Sequence, residues 1–172
     1  MRRAIIFKST WGWMGISETS KGIDVIALPK GSRRAVESDL RSMAAEPLEE
    51  GGSPRLETAR RQLLDYLDGK RVTFDVPLDL SRGTPFQRRV WRVLQRVPYG
   101  KLRSYQWIAS RVGGRQYARA VGSAVGANPL PVVIPCHRIV AQDASLGGFS
   151  CGLPMKRKLL TLEGTLSKLR SS

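Results

Sequence analysis

The sequence predicts an α/β protein in two parts. A small antiparallel sheet with helices runs to about residue 77, and a mostly helical part built around a helix-turn-helix follows. Three observations carry this. Short apolar runs separated by turn residues fill the first thirty positions, whereas a 3.6-residue apolar period dominates from Thr84 onward. The charge is also divided unevenly: residues 1–78 hold 13 Lys and Arg against 11 Asp and Glu, and residues 79–172 hold 16 against 3. The first part is nearly neutral and the second strongly cationic.

In the first part, Ala4–Phe7, Met14–Glu18 and Ile23–Leu28 are apolar runs joined through Thr10-Trp11-Gly12-Trp13 and Lys21-Gly22, the pattern of a small antiparallel sheet that Pro29 ends. Residues 30–53 read as a polar loop, with one short helical pattern near Val36–Met43 and a flexible Glu49-Glu50-Gly51-Gly52 stretch. Ser53 and Pro54 suit the cap and first position of a helix whose Leu56, Ala59, Leu63, Tyr66 and Leu67 share a face, stopping at Gly69. Val72–Val76 reads as a further strand. Nothing among residues 1–77 carries chemistry, and residues 78–83 read as a linker.

The second part, residues 84–165 with a tail at 166–172, opens on Thr84-Pro85-Phe86-Gln87. This is a capping box with proline at the first helical position, and Phe86, Val90, Trp91, Leu94 and Val97 then repeat at helical spacing. Arg88, Arg89, Arg92 and Arg96 fall on its other side. Ser104 caps a second helix running to about Val112, Gly113-Gly114 breaks it, and a third runs from about Tyr117 to Ala127. Helix, tight glycine turn, helix is the helix-turn-helix pattern. Apart from Arg119 and two valines, the side chains from Ala118 to Ala127 are all Ala, Gly or Ser. Interior glycines cost roughly 1 kcal/mol each relative to alanine, so so thin a helix needs a surface close by. That surface is either a neighbouring helix or a narrow nucleic-acid groove.

Asn128-Pro129-Leu130-Pro131 leads to Val132-Val133-Ile134-Pro135-Cys136-His137-Arg138-Ile139-Val140. The two β-branched runs read as buried strand, and Pro135 should end the first of them. A cysteine, the only histidine and an arginine thus lie in or beside the core. A thiolate is the reactive form of cysteine, and His137, Arg138 or a helix N-terminus would each favour it. A buried structural cysteine is the alternative. Pro154 starts a last helix with Leu159, Leu160 and Leu162 inward and Glu163 at its end, where the macrodipole disfavours a carboxylate. Either His137 compensates it or it is a surface glutamate before Gly164.

Composition excludes several classes. With 41% apolar residues the chain can hold a core, and it shows neither a membrane-span-length apolar stretch nor a signal-peptide pattern, so a cytoplasmic protein is expected. Cys136 and Cys151 are the only cysteines and form no CxxC pair, and with His137 alone neither a disulfide framework nor a metal site is supported. An arginine-rich half with so few acids fits a polyanion, nucleic acid first. A merely solvated basic face is the alternative.

From Thr84 to Gly164 the chain resembles the O6-alkylguanine-DNA alkyltransferases. Ser104-Tyr105-Gln106, Ala118-Arg119-Ala120-Val121-Gly122, Asn128-Pro129, Pro135-Cys136-His137-Arg138 and Leu162-Glu163-Gly164 carry the likeness in matching order and spacing. Residues 1–77 match the family only in general shape. The resemblance implies an RNase H-like first domain and a winged-helix-like second. It also implies irreversible, stoichiometric transfer of an alkyl group from O6-alkylguanine, flipped out of duplex DNA, to Cys136. His137 would take the thiol proton through a water, Glu163 would orient the imidazole, Asn128 would brace the turn, and Tyr105 would hydrogen-bond the base. Arg119 would fill the gap left in the duplex while the thin helix, with Ala120, Gly122 and Ser123, lies in the minor groove; Arg138 is grouped with these DNA contacts. Main-chain groups of Cys136, Ile139 and Ser150 would recognise guanine, and Cys151 stands beside the pocket where members often have a small residue. A monomer without cofactor or metal is expected.

Two other classes fit parts of the sequence. A non-enzymatic helix-turn-helix regulator, or an alkylation-damage sensor, accounts for the charge and the helices but not for the thiol. A cysteine hydrolase leaves the basic half idle.

Overall fold

The computed structural model describes residues 2–44, 48–71 and 73–169. The chain forms two compact units, residues 1–80 and 81–172. Among the described residues no helix is long and apolar enough to cross a membrane.

In the first unit β1 (Arg2–Ser9), β2 (Gly12–Glu18) and β3 (Ile23–Lys30) pair antiparallel in sequence order, as expected from their apolar runs. A fourth strand, β4 (Leu48–Glu50), joins β1 in parallel and makes the sheet mixed, in the order β3-β2-β1-β4. The sequence did not show it, because Leu48-Glu49-Glu50 has one apolar residue and lies at an edge where only one side is paired.

The stretch expected as a loop at 30–53 also holds α1 (Arg33–Met43), capped by Ser32, whose Oγ accepts from the Ala35 amide. Val36 and Leu40 from α1 pack on Ala4, Val25 and Ala27. Gly15 admits that approach, since a Cβ there would lie 2.6 Å from Leu40 and 2.7 Å from Val36. After the Ser53 cap, α2 (Pro54–Leu67) buries Leu56, Ala59, Leu63, Tyr66 and Leu67, the face its spacing predicts.

The strand expected at Val72–Val76 is not formed; Val72 lies outside the described residues and 73–76 are irregular. The Asp75 amide donates to the Gln62 side chain, and Arg71 pairs with the Asp75 carboxylate, so side chains hold this segment in place of a ladder. Pairing begins only at Leu78, which bridges Ile23 while the Asp79 amide donates to the Ile23 carbonyl. Leu78 and Asp79, expected in a linker, are therefore fastened to β3.

The second unit begins with α3 (Pro85–Leu94), which has the predicted capping box in full. Ser104 closes β5 (Arg103–Ser104) and caps α4 (Tyr105–Val112), accepting from the Trp107 amide. A 3₁₀ turn at Arg115–Tyr117 leads into α5 (Ala118–Gly126). These three helices contact one another pairwise, and Trp91 of α3 donates its indole N–H to the Ala124 carbonyl of α5 at 2.8 Å. β6 (Ile139–Val140) pairs in parallel with β5, and α6 (Leu153–Leu162) closes the unit.

Residues 131–135 are not the buried strand their β-branched composition suggests. Val132 has φ 77°, a region that costs a β-branched residue strain. The Ile134 amide turns back onto the Leu130 carbonyl. Pro131 and Pro135 cannot donate to a ladder, which leaves a tight turn as the solution.

Candidate functional site

Cys136, His137 and Arg138 occupy one 3₁₀ turn between Pro135 and β6, and all three are buried. Asn128 holds the turn that presents them. Its Nδ2 donates to the Ile134 carbonyl at 2.8 Å and its Oδ1 accepts from the Leu130 amide at 2.9 Å. One amide side chain thus satisfies two buried backbone groups that a strand partner would otherwise meet.

Behind the turn stands Glu163, the C-cap of α6. Its Oε2 lies 2.8 Å from His137 Nε2, and Arg138 donates from Nε to Oε1 at 2.8 Å and from Nη2 to Oε2 at 2.9 Å. Arg138 Nη1 also donates to the Val97 carbonyl, and the guanidinium lies 5.6 Å from the Tyr99 ring centroid. A carboxylate at a helix C-terminus is disfavoured by the macrodipole, and the bidentate guanidinium offsets that. Burial would raise the Glu163 pKa, but hydrogen bonds from His137 and Arg138, with their charge, hold it down at about 2. Burial lowers the His137 pKa despite the opposing pull of Glu163. The pair is therefore a neutral imidazole donating from Nε2 to an ionised carboxylate. The other ring nitrogen, Nδ1, is buried and has no hydrogen-bond partner among the described residues, so its lone pair is free to take a proton.

The thiol departs from expectation. Burial pushes Cys136 up to about 12, against a hydrogen bond from Asn128 and the charge of Lys156, with Cys151 adding to the rise. The neighbouring cation expected to favour the thiolate does not do so, because the Arg138 charge is engaged by Glu163. The resting sulfur is a protonated thiol, and any reaction must remove its proton first.

Arg138 also departs from its expected place among DNA contacts. Its side chain is 7% exposed and turned inward to Glu163, since an unpaired buried carboxylate would be far costlier than a surface arginine lost.

Tyr105, the first residue of α4, stands close enough to Cys136 for a thiolate there to raise its pKa. Burial is the larger cause, and a backbone hydrogen bond from Gly148 opposes both. Lys156 was not anticipated. Fully buried, it donates from Nζ to the Ile139 carbonyl at 2.6 Å and the Gly148 carbonyl at 3.0 Å, and burial lowers its pKa to about 8. The available signal was its helical spacing with Leu159, Leu160 and Glu163, which puts a lysine on an inward face. Lys156 ties β6 to the loop bearing Ser150 and Cys151, both exposed, while Ile139 is buried.

Along α5, Val121, Ala124 and Val125 face inward, while Arg119, Ala120, Ser123 and Gly126 are exposed and Gly122 is half-exposed. A Cβ added at Gly122 or Gly126 would meet nothing within 4 Å. Packing within the protein does not require this helix to be thin.

Fold and site together define a class: an α/β protein whose helix-turn-helix part holds a buried thiol beside an imidazole, carboxylate and guanidinium joined by hydrogen bonds. Residues 85–165 match the model of the 6-O-methylguanine DNA methyltransferase DNA-binding domain. A methylated-DNA–protein-cysteine methyltransferase of Methanosarcina acetivorans is 35% identical over 160 residues, 93% of this chain and 97% of its own. A Mycolicibacterium paratuberculosis protein of the same name is 50% identical over 105 residues, 61% of this chain and 63% of its own. The match therefore spans about three fifths of that relative. The crystal structure of Mycobacterium tuberculosis OGT in complex with DNA superposes with a TM-score of 0.79 at 33% identity, covering 98% of this chain and 96% of that one. The chain belongs to the methylated-DNA–protein-cysteine methyltransferase family.

Proposed function

We propose that the protein repairs DNA by transferring the alkyl group of O6-alkylguanine to Cys136, once per molecule. The observation that carries this is the Cys136 thiol set beside a neutral, carboxylate-held His137 whose Nδ1 is unengaged. His137 accepts the Cys136 proton at Nδ1, through a water, and Glu163 stabilises the imidazolium that results. The sulfur then attacks the alkyl carbon, an S–C bond forms, and the C–O6 bond breaks with its electron pair going to guanine. Tyr105 offsets the charge on the departing base, which leaves as neutral guanine once it has taken up a proton. Asn128 braces the turn. Main-chain groups of Cys136, Ile139 and Ser150 read the base.

Cys151 borders the pocket and restricts large alkyl groups; a Cys151→Gly variant should react faster with O6-benzylguanine, and an unchanged rate would remove this point. Under peroxide Cys151 links to Cys136, and a free-thiol count that stays at two would remove that.

The partner is duplex DNA. We place α5 in the minor groove, with Arg119 in the gap left by the flipped base and Ala120, Gly122 and Ser123 against the strands. The open space at Gly122 and Gly126 supports this, because the thin face serves something outside the chain. The first unit is RNase H-like, and residues 84–165 of the second are winged-helix-like. The protein works as a cytoplasmic monomer without cofactor or metal.

The test is an oligonucleotide with one O6-methylguanine, followed by digestion and weighing of the Cys136 peptide. One methyl increment per protein, with no turnover, is expected. An unmodified peptide with tight DNA binding would make the protein a damage sensor or regulator instead.

A further inference from the structure

Residues 81–172 carry sixteen Lys and Arg and two carboxylates, Asp143 and Glu163. Glu163 is engaged by His137 and Arg138, and Asp143 accepts from the Ser145 amide. The first unit is built differently. There Lys30, Arg33, Arg41, Arg55, Arg60 and Arg71 each pair with a carboxylate of the same unit.

Two cations of the second unit are gathered at one ring. The guanidinium carbons of Arg103 and Arg111 lie 5.1 and 3.7 Å from the centroid of the half-buried Trp107. Among the described residues neither makes an ion pair. A cation over an exposed aromatic ring gains about 0.5–1 kcal/mol, and two guanidiniums at one indole repel each other. A polyanion relieves that repulsion. Stacking engages the face of a guanidinium and leaves its in-plane N–H donors, which match phosphate oxygens, for other partners; Arg103 gives one of these to the Leu102 carbonyl.

The position is suited to such a partner. Arg103 lies in β5, pairs with Ile139 immediately after the Cys136–Arg138 turn, and is two residues from Tyr105.

We propose that the Arg103–Trp107–Arg111 stack is a sequence-independent clamp for the DNA phosphate backbone, separate from α5. It rests on the DNA-repair reading above. Each phosphate contact contributes about 0.9 to the slope of log affinity against log salt, which makes the clamp measurable.

Duplex affinity is measured across salt concentration for the wild type, for Arg103→Gln with Arg111→Gln, and for Trp107→Leu. Arg34→Gln with Lys70→Gln, exposed cations of the first unit, serves as a charge-matched control. The reaction with free O6-benzylguanine, which has no backbone, is followed in parallel. Expected are a slope shallower by about 1.8 for the Arg103/Arg111 pair, weaker binding for Trp107→Leu, an unchanged slope for the control and an unchanged rate with the free base. A slope that does not move, or that moves equally in the control, overturns the clamp. So does a loss of melting temperature in the Arg103/Arg111 variant with affinity intact, the sign of a merely stabilising stack. Absence of duplex binding by the wild type would instead remove the DNA reading itself.

Discussion

Oε2 of Glu163 lies 2.8 Å from Nε2 of His137 while the same carboxylate is gripped by two donors of Arg138. The carboxylate therefore does two jobs: it fixes the tautomer of the imidazole and neutralises a buried arginine of the second unit. Replacing Glu163 with Gln removes the charge that would stabilise an imidazolium and leaves Arg138 uncompensated. We expect alkyl transfer to slow by about 10²–10⁴-fold and stability to fall by about 3–5 kcal/mol. Single-turnover rates and urea denaturation measure the two effects separately.

Stability should fall at both pH extremes for identifiable reasons. Glu163 is held at about 2 against an ordinary 4.5, so the unfolded chain binds more protons between those values. Its contribution is complete above about pH 4.5 and is lost as pH falls toward 2. Cys136 is displaced the other way, to about 12 from 9. The unfolded chain releases that proton first, so the contribution is intact below about pH 9 and lost as pH rises toward 12. Lys156, lowered from 10.5 to about 8, opposes this by favouring the folded state as pH rises between its two values. Denaturation of Cys136→Ser should show a shallower alkaline decline than the wild type, and equal declines would refute the assignment.

The thin helix offers a separation of folding from binding. Since a Cβ at Gly122 meets open space, Gly122→Ala should raise stability by up to about 1 kcal/mol through helix propensity. Gly122→Leu should fold as well as the wild type yet lose most of its duplex affinity. Thermal melts beside a binding titration test it, and a Leu variant that binds normally would show that α5 approaches no strand.

Lys156→Met keeps the stem of the side chain but removes both donors to the Ile139 and Gly148 carbonyls. The Ile139 carbonyl then loses a donor inside the core, at a cost of about 1–3 kcal/mol, while the exposed Gly148 can turn to water. We expect slower transfer and faster proteolysis within residues 141–152, with Lys156→Arg recovering part of each.

Much of this was legible because local chemistry and tertiary structure agree. The Thr84–Gln87 box, the Ser53 and Ser104 caps and the inward face of α2 are set by neighbours a few residues away. The failures share a cause as well. Val132–Ile134 has strand composition but takes a turn, because two prolines and the Asn128 side chain supply what a ladder would. β4 is too short and too acidic to announce itself. At the site, adjacency of Cys136 and His137 showed which groups meet but not their ionisation, since that depends on burial and on Arg138 being engaged by a residue 25 positions away. Lys156 was missed because a charged residue is ordinarily read as facing water.

On the proposed reading, in which one transfer consumes the molecule, a sulfur that keeps its hydrogen while idle has a consequence. Stray electrophiles and oxidants in the cell attack the anionic form far more readily, and a permanently ionised acceptor would be lost to them before meeting its lesion. Concealment makes the reagent patient, so that each copy stays serviceable until a damaged base is delivered to it.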